Sequence, residues 1–205
     1  MMKYDQVYLD KLVVNESLQD YASPRSKLTR MLNSGELLHI RRGLYLSGEG
    51  SSFSVKTLAN IIYGPSYISF EYALSYYSFI PERTYNITSA VFGKNKHKRF
   101  DAPVGTFIYR HIPEAVYFLE YRHHEDNGHP YLIATAEKAI CDTLYQYRWV
   151  KSLRDIGKLV YEDLRIEKNK IVSLDLDKIT ALAPGYGKKV TNLFATWLKK
   201  EKSNA

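Results

Sequence analysis

The stretch SPRSKLTRMLNSGELLHIRRGLYLSG, Ser23 to Gly48, decides how the fold is read. Ser23 is a preferred N-cap residue and Pro24 suits the first helical position. Leu28, Met31 and Leu32 recur at helical spacing, and Gly35 is a terminator. These signals predict a helix over 24–34. Beyond Gly35, ELLHI and GLYLS are short apolar runs joined by an Arg-Arg-Gly turn in which Gly43 can take a positive φ, so a β-hairpin is expected. Upstream, YDQVYLDKLVV sets Tyr4, Val7, Tyr8 and Leu12 near one helical face, and NESLQDYA reads as a short second helix. Three helices and a hairpin within fifty residues are the order of a winged helix-turn-helix, whose third helix enters the major groove while the hairpin flanks it.

The 205 residues are 45% hydrophobic and 25% charged, a globular composition that suffices for one large domain or two small ones. The small, polar GEGSS at 48–52 marks a boundary. It divides the chain into a DNA-binding unit at 1–50 and an effector unit at 51–205. In the second unit SVKTLANIIY reads as a helix, Ser66 to Ser69 as a brief strand, and FEYALSYYSFI as a helix ending before Pro81. NITSAVF, KHKRFDA, GTFIYRHI, AVYFLEYR and HPYLIAT carry the β-branched and aromatic residues of a sheet of four or five strands. TAEKAICDTLYQYRW, VKSLRDIGKLVYEDL and TNLFATWLKKEK read as helices, the first capped by Thr135. The expected class is α+β: an N-terminal winged helix-turn-helix, then a mixed domain with a mainly antiparallel sheet and C-terminal helices.

Cys141 is the single cysteine, so no intrachain disulfide forms, and a lone thiol fits a reducing cytoplasm. No apolar run has the length of a signal peptide or of a membrane span, so the expectation is an unprocessed cytoplasmic protein with no membrane partner. The formal charge of +7 favours polyanionic partners. Between positions 24 and 48, Arg25, Lys27, Arg30, Arg41 and Arg42 face Glu36 alone.

Off the apolar stripe of the predicted third helix lie Arg25, Ser26, Lys27, Thr29, Arg30 and Asn33. Arginine and lysine reach phosphates or guanine edges, and asparagine pairs with adenine. A solvated helix face has the same composition. Arg41, Arg42 and Gly43 would form the wing tip, set along the backbone or in a narrow minor groove. Charges that protect a surface hairpin from edge pairing are the other reading. A second basic patch, Lys94, Lys96, His97, Lys98 and Arg99, suits phosphate contact without sequence readout. The eighteen tyrosines suit helix-on-sheet packing better than base stacking.

Enzymatic readings are weaker. GEGSSF lacks the third glycine of a dinucleotide fingerprint. His123, His124 and His129 with Glu125 and Asp126 have metal-ligating chemistry but read as a polar turn. Asp101, Glu120 and Lys138 fit no nuclease spacing, and nothing singles out Cys141 as a nucleophile. No catalytic residue, metal or cofactor is expected.

Three fragments, LNSGELLHIRRGLYL (Leu32 to Leu46), YISFEYALSYYSFIPE (Tyr67 to Glu82) and IATAEKAICDTLY (Ile133 to Tyr145), resemble in order and spacing the AbiEi family. These are antitoxins of type IV toxin-antitoxin systems, linked to abortive infection of phage-infected bacteria. The family's wing motif maps onto Arg41, Arg42 and Gly43, and its A-x-x-E-K-A-x-x-D helix onto Glu137, Lys138, Ala139 and Asp142. The resemblance implies a repressor that binds repeated sites in its own promoter. It also implies a second domain that neutralises a nucleotidyltransferase-like toxin without necessarily forming a stable complex. The alternative kept open is a metal-dependent nuclease targeted by a winged helix.

Overall fold

The computed structural model describes residues 6–48, 52–94 and 96–204. Tyr4, most of the expected boundary at 48–52, and Asn95 within the basic patch lie outside the described residues.

The chain opens with β1 (Tyr8–Asp10), α1 (Lys11–Leu18), α2 (Pro24–Ser34), β2 (Leu37–Arg41) and β3 (Leu44–Ser47). The first expected helix is therefore corrected. Tyr8 and Asp10 pair antiparallel with Leu46 and Leu44 of β3, and only after Asp10 does the chain turn helical. Asp10 makes the switch, because its carboxylate accepts the Val13 amide at 2.9 Å and caps α1. Leu12, expected on the buried stripe, is 75% exposed, whereas Leu9 and Val14 are buried. The expected second helix is only the end of α1 followed by a turn. Two helices, not three, precede the hairpin.

Helix α2 has its expected boundaries. Pro24 occupies its first turn, and Gly35 ends it at φ +77°, a left-handed conformation that glycine adopts without Cβ strain. The hairpin also forms as expected, with Gly43 at φ +82°. Its strands join β1 in a three-stranded sheet of order β1-β3-β2.

The remainder comprises α3 (Val55–Ile62), β4 (Ser66–Ile68), α4 (Phe70–Tyr76), β5 (Ile87–Val91), β6 (Lys98–Ala102), β7 (Gly105–His111), α5 (Glu114–Tyr117), β8 (Tyr121–Asp126) and β9 (His129–Ala134). Then come α6 (Ala136–Tyr145), α7 (Leu153–Lys158), a π-helical turn at Leu159–Asp163, α8 (Lys168–Ser173), α9 (Leu176–Leu182), a 3-10 turn at Ala183–Tyr186 and α10 (Lys189–Ser203). The sheet has six strands in the order β6-β7-β5-β4-β9-β8 and is mixed, since β4 and β9 run parallel, as do β5 and β7. Three of its five pairings are antiparallel, in line with the expected mainly antiparallel sheet, but it has six strands rather than four or five, and two pairings are parallel. Every residue of β4 and β5 is buried, so both faces of the sheet centre are covered.

AVYFLEYR, expected as one strand, begins instead with α5, and the strand starts at Tyr121 after Glu120 adopts φ +52°. Tyr117 and Phe118 leave the strand pattern to pack on Phe92, with ring centroids 4.4 and 5.2 Å away. His123 to Asp126, expected as a turn, extend β8, and the reversal is confined to Asn127 and Gly128.

Two apolar clusters form. The smaller joins Leu9, Val14, Leu18, Met31 and Leu37. The larger runs from Leu58 to Leu198 and takes in Ile40, Leu44 and Leu46 from the hairpin. Alternation along the strands explains this, because successive side chains point to opposite faces. Leu37 and Tyr45 face α1 and α2, while Ile40, Leu44 and Leu46 face the six-stranded sheet. Among the described residues no helix is long and apolar enough to cross a membrane.

Candidate nucleic-acid interface

Helix α2 buries Met31 and packs Leu28 and Leu32 on the smaller cluster, which turns its polar residues outward. Arg25, Ser26, Thr29, Arg30 and Asn33 are exposed. Arg25, Thr29 and Asn33 are spaced by four, as are Ser26 and Arg30, so they share one side of the helix. They are not equally available. The Thr29 hydroxyl donates to the Arg25 carbonyl at 3.0 Å, and Ser26 Oγ accepts from Ser23 Oγ at 2.8 Å. Lys27 is half-buried, 3.7 Å from the Glu36 carboxylate and 5.6 Å from the centre of the Tyr21 ring. Arg25, Arg30 and Asn33 remain uncommitted to side-chain partners among the described residues.

The two hairpin arginines differ. β2 closes on β3 with Arg41 opposite Leu44, so the tip is Arg42 and Gly43 alone. Arg42 is exposed, and the Gly43 carbonyl accepts the Lys11 amide at 3.1 Å, which pins the tip to the start of α1. Arg41 follows an irregularity in the β2–β3 register and is half-buried. Its Nη1 donates to the Arg42 carbonyl at 2.9 Å, and its Nε is buried with no hydrogen-bond partner. Burial pushes the Tyr109 phenol far up, and the Arg41 charge pulls it down by a smaller amount.

The second basic patch lies near the hairpin. β6 lies against β2, and Lys98 pairs with Tyr109 across the β6–β7 ladder. Lys96, His97, Lys98 and Arg99 are exposed, and the half-buried Lys94 holds its ammonium 5.4 Å from the centre of the Tyr63 ring. Arg99 is the exception in charge. Its Nε bonds both Asp101 carboxylate oxygens at 3.0 Å, and Thr106 donates to the same carboxylate, so this arginine is neutralised locally.

The residues weighed for catalysis are dispersed. Asp101 holds Arg99, Glu120 lies 3.1 Å from Lys178, and Lys138 is buried elsewhere. His124 Nδ1 lies 3.4 Å from the Tyr76 hydroxyl, His129 Nε2 is 2.9 Å from the Ser52 carbonyl, and Asp126 accepts from Ser54. The described residues contain no group of three or more histidine, cysteine or acidic side chains able to hold a metal. Cys141 is fully buried, and burial pushes its thiol far above the reactive range.

The E-K-A-x-x-D helix carries a fully buried, multiply hydrogen-bonded polar cluster. Lys138 and Asp142, both fully buried, face each other across one turn of α6 at 2.8 Å. Asp142 also accepts from Tyr186 at 2.6 Å, Ser69 at 2.6 Å and Tyr67 at 3.1 Å, and Lys138 donates to the Tyr186 hydroxyl at 2.8 Å. Burial, then the Asp142 charge, raises both phenols well above their ordinary range. Glu137 points away and accepts the Asp175 amide at 3.1 Å. The sequence signal for this hub was a Lys–Asp pair at i,i+4 inside an otherwise apolar helix. Tyr67, Ser69 and Tyr186 carried no such signal. No protein-family model matches the chain, and no curated protein does either.

Proposed function

We propose that the chain is a winged helix-turn-helix repressor that binds double-stranded DNA at its own promoter and serves as the antitoxin of an AbiE-like system. The observation that carries the DNA-binding half is the exposed side of α2, where Arg25, Arg30 and Asn33 stand free of internal partners, directly before a hairpin tipped by exposed Arg42. Arginine and asparagine on one helix side have the chemistry to read guanine and adenine edges. Arg42 has the chemistry to hold a flanking phosphate, and Lys94, Lys96 and Lys98 add positive charge beside β6, which lies against β2. The antitoxin half rests on the resemblance of three sequence fragments to the AbiEi family. On that reading the effector unit opposes a nucleotidyltransferase-like toxin in the cytoplasm, and a stable complex between them is not required.

The test is binding of the pure protein to DNA from its own upstream region, followed across salt concentrations. Arg42→Ala should lower affinity for all sequences and reduce the log–log salt slope by about one, whereas Arg30→Ala or Asn33→Ala should cost about 1–3 kcal/mol only on the specific site. Equal binding by wild type and Arg30→Ala would remove α2 from the interface. For the second half, the chain is co-expressed with a neighbouring nucleotidyltransferase-like gene. Restored growth is the expected result, and unrelieved toxicity would reject the antitoxin role.

A further inference from the structure

Far along the chain from the hairpin, the loop at 146–152 meets the first turn of α10 around a cleft of about 440 Å³. Four cations line it, Arg148, Lys151, Lys188 and Lys189, and no carboxylate does. Among the described residues none of the four has a salt-bridge partner. Asp155, the acid nearest in sequence to Lys151, is spent on the start of α7, where it accepts the Lys151 and Ser152 amides at 2.9 and 3.0 Å. Folding thus gathers like charges without supplying a counter-ion, which costs Coulomb energy that a bound anion would reverse. Lys188 feels this directly, since burial and then the Arg148 charge lower its pKa.

The walls suit a ligand with an aromatic part. Tyr145 and Tyr147 line the cleft, with the Lys188 ammonium 3.8 Å from the centre of the Tyr145 ring and bonded to the Tyr145 carbonyl at 2.8 Å. Trp149, partly exposed, stands edge-on to Tyr147 at 6.5 Å. The fifteen-residue α10 carries no side-chain cap, so its first amides and its dipole add to the positive field. Another pocket, of about 470 Å³ near Phe79 and Pro81, shows what an ordinary charged surface looks like here. Its Arg165 is paired with Glu82, and Glu167 lines it as well.

We propose that this cleft binds the terminal phosphate group of a nucleotide, with the cations on the phosphate oxygens and the base against the half-buried Tyr145 and Tyr147 rings. The volume is that of a small-molecule site. Two sources share this chemistry, a free nucleoside triphosphate and the 5′-phosphorylated end of a strand. The site is independent of the promoter-binding surface, and its test contains no duplex DNA.

Calorimetric titration of the full chain with ATP, and separately with a 5′-phosphorylated single-stranded trinucleotide, distinguishes the sources. Saturable one-to-one binding of either is expected, weakening about tenfold or more in Arg148→Glu and in Lys189→Glu, because each reverses a charge in the cleft. Both side chains are exposed, so the thermal midpoint should barely move, and Lys158→Glu, exposed at the end of α7, should bind as the wild type does. Absence of saturable binding to both ligands overturns the proposal. So does binding unaffected by the two cleft variants, or affinity for inorganic triphosphate equal to that for ATP.

Discussion

Asp142 is the residue on which a single substitution should act most strongly. Its carboxylate takes four donors from β4, the segment after it, α6 and the 3-10 turn, all without water contact. Truncation leaves the buried Lys138 ammonium with the Tyr186 hydroxyl as its remaining hydrogen-bond partner, and removing one partner of a buried pair costs about 3–5 kcal/mol. Asp142→Ala should therefore lower the unfolding free energy measured by urea denaturation by that amount. A loss below about 1 kcal/mol would mean that water or a neighbour replaces the carboxylate at little cost. The same residue-scale view separates Arg41 from Arg42. Adjacent in sequence, they differ because Arg41 is the last residue of β2, paired with Leu44 after the register irregularity, whereas Arg42 lies in the exposed turn.

At the scale of the element, the hairpin is the part of the N-terminal segment that cannot act alone. Tyr45 and Leu37 serve the small cluster, while Ile40, Leu44 and Leu46 serve the large one, so β3 is buried from both sides. The run LYL records this, for a strand with one wet face would alternate with polar residues. Fixed so, and with Gly43 tied to Lys11, the tip presents Arg42 from a rigid base. Leu46→Ala removes a fully buried side chain shared across this junction and should cost about 2–5 kcal/mol. Chemical denaturation followed by tryptophan fluorescence and by circular dichroism should give coincident transitions, since both tryptophans lie in the larger unit while helices lie in both. Separate transitions would show that the clusters unfold independently.

For the whole molecule, the tyrosines set a limit at high pH. Burial raises the phenols of Tyr67, Tyr109, Tyr117 and Tyr186 far above their ordinary value, and that of Tyr77 to about 12. A phenol whose folded pKa exceeds its unfolded one contributes stability that is complete below about pH 10 and lost as pH rises toward the folded value. Alkaline titration should therefore show the exposed tyrosines ionising first, then a cooperative rise in tyrosinate absorbance that coincides with loss of helical signal. A smooth titration of all phenols near their ordinary value, with the fold intact, would contradict the buried placement.

Local chemistry made much of this chain legible. Pro24 and Gly35 bound α2, Gly43 turns the hairpin, Thr135 caps α6, and the polar side of α2 follows from the positions of Leu28, Met31 and Leu32. Each depends on neighbours within a few residues. The readings that failed depended on distant ones. Tyr8 to Asp10 became a strand because β3 offered an edge, and β4 and β5 found parallel partners that no local period specifies. Tertiary packing likewise half-buried Arg41, buried Lys138 against Asp142, and drew Arg148, Lys151, Lys188 and Lys189 from two separate segments into one cleft. By itself the sequence determined helix ends, the hairpin turn and the basic balance, since these are properties of short segments. Which charges are buried, paired or left facing a partner was decided by the tertiary structure, because burial and Coulomb energy depend on what lies across space.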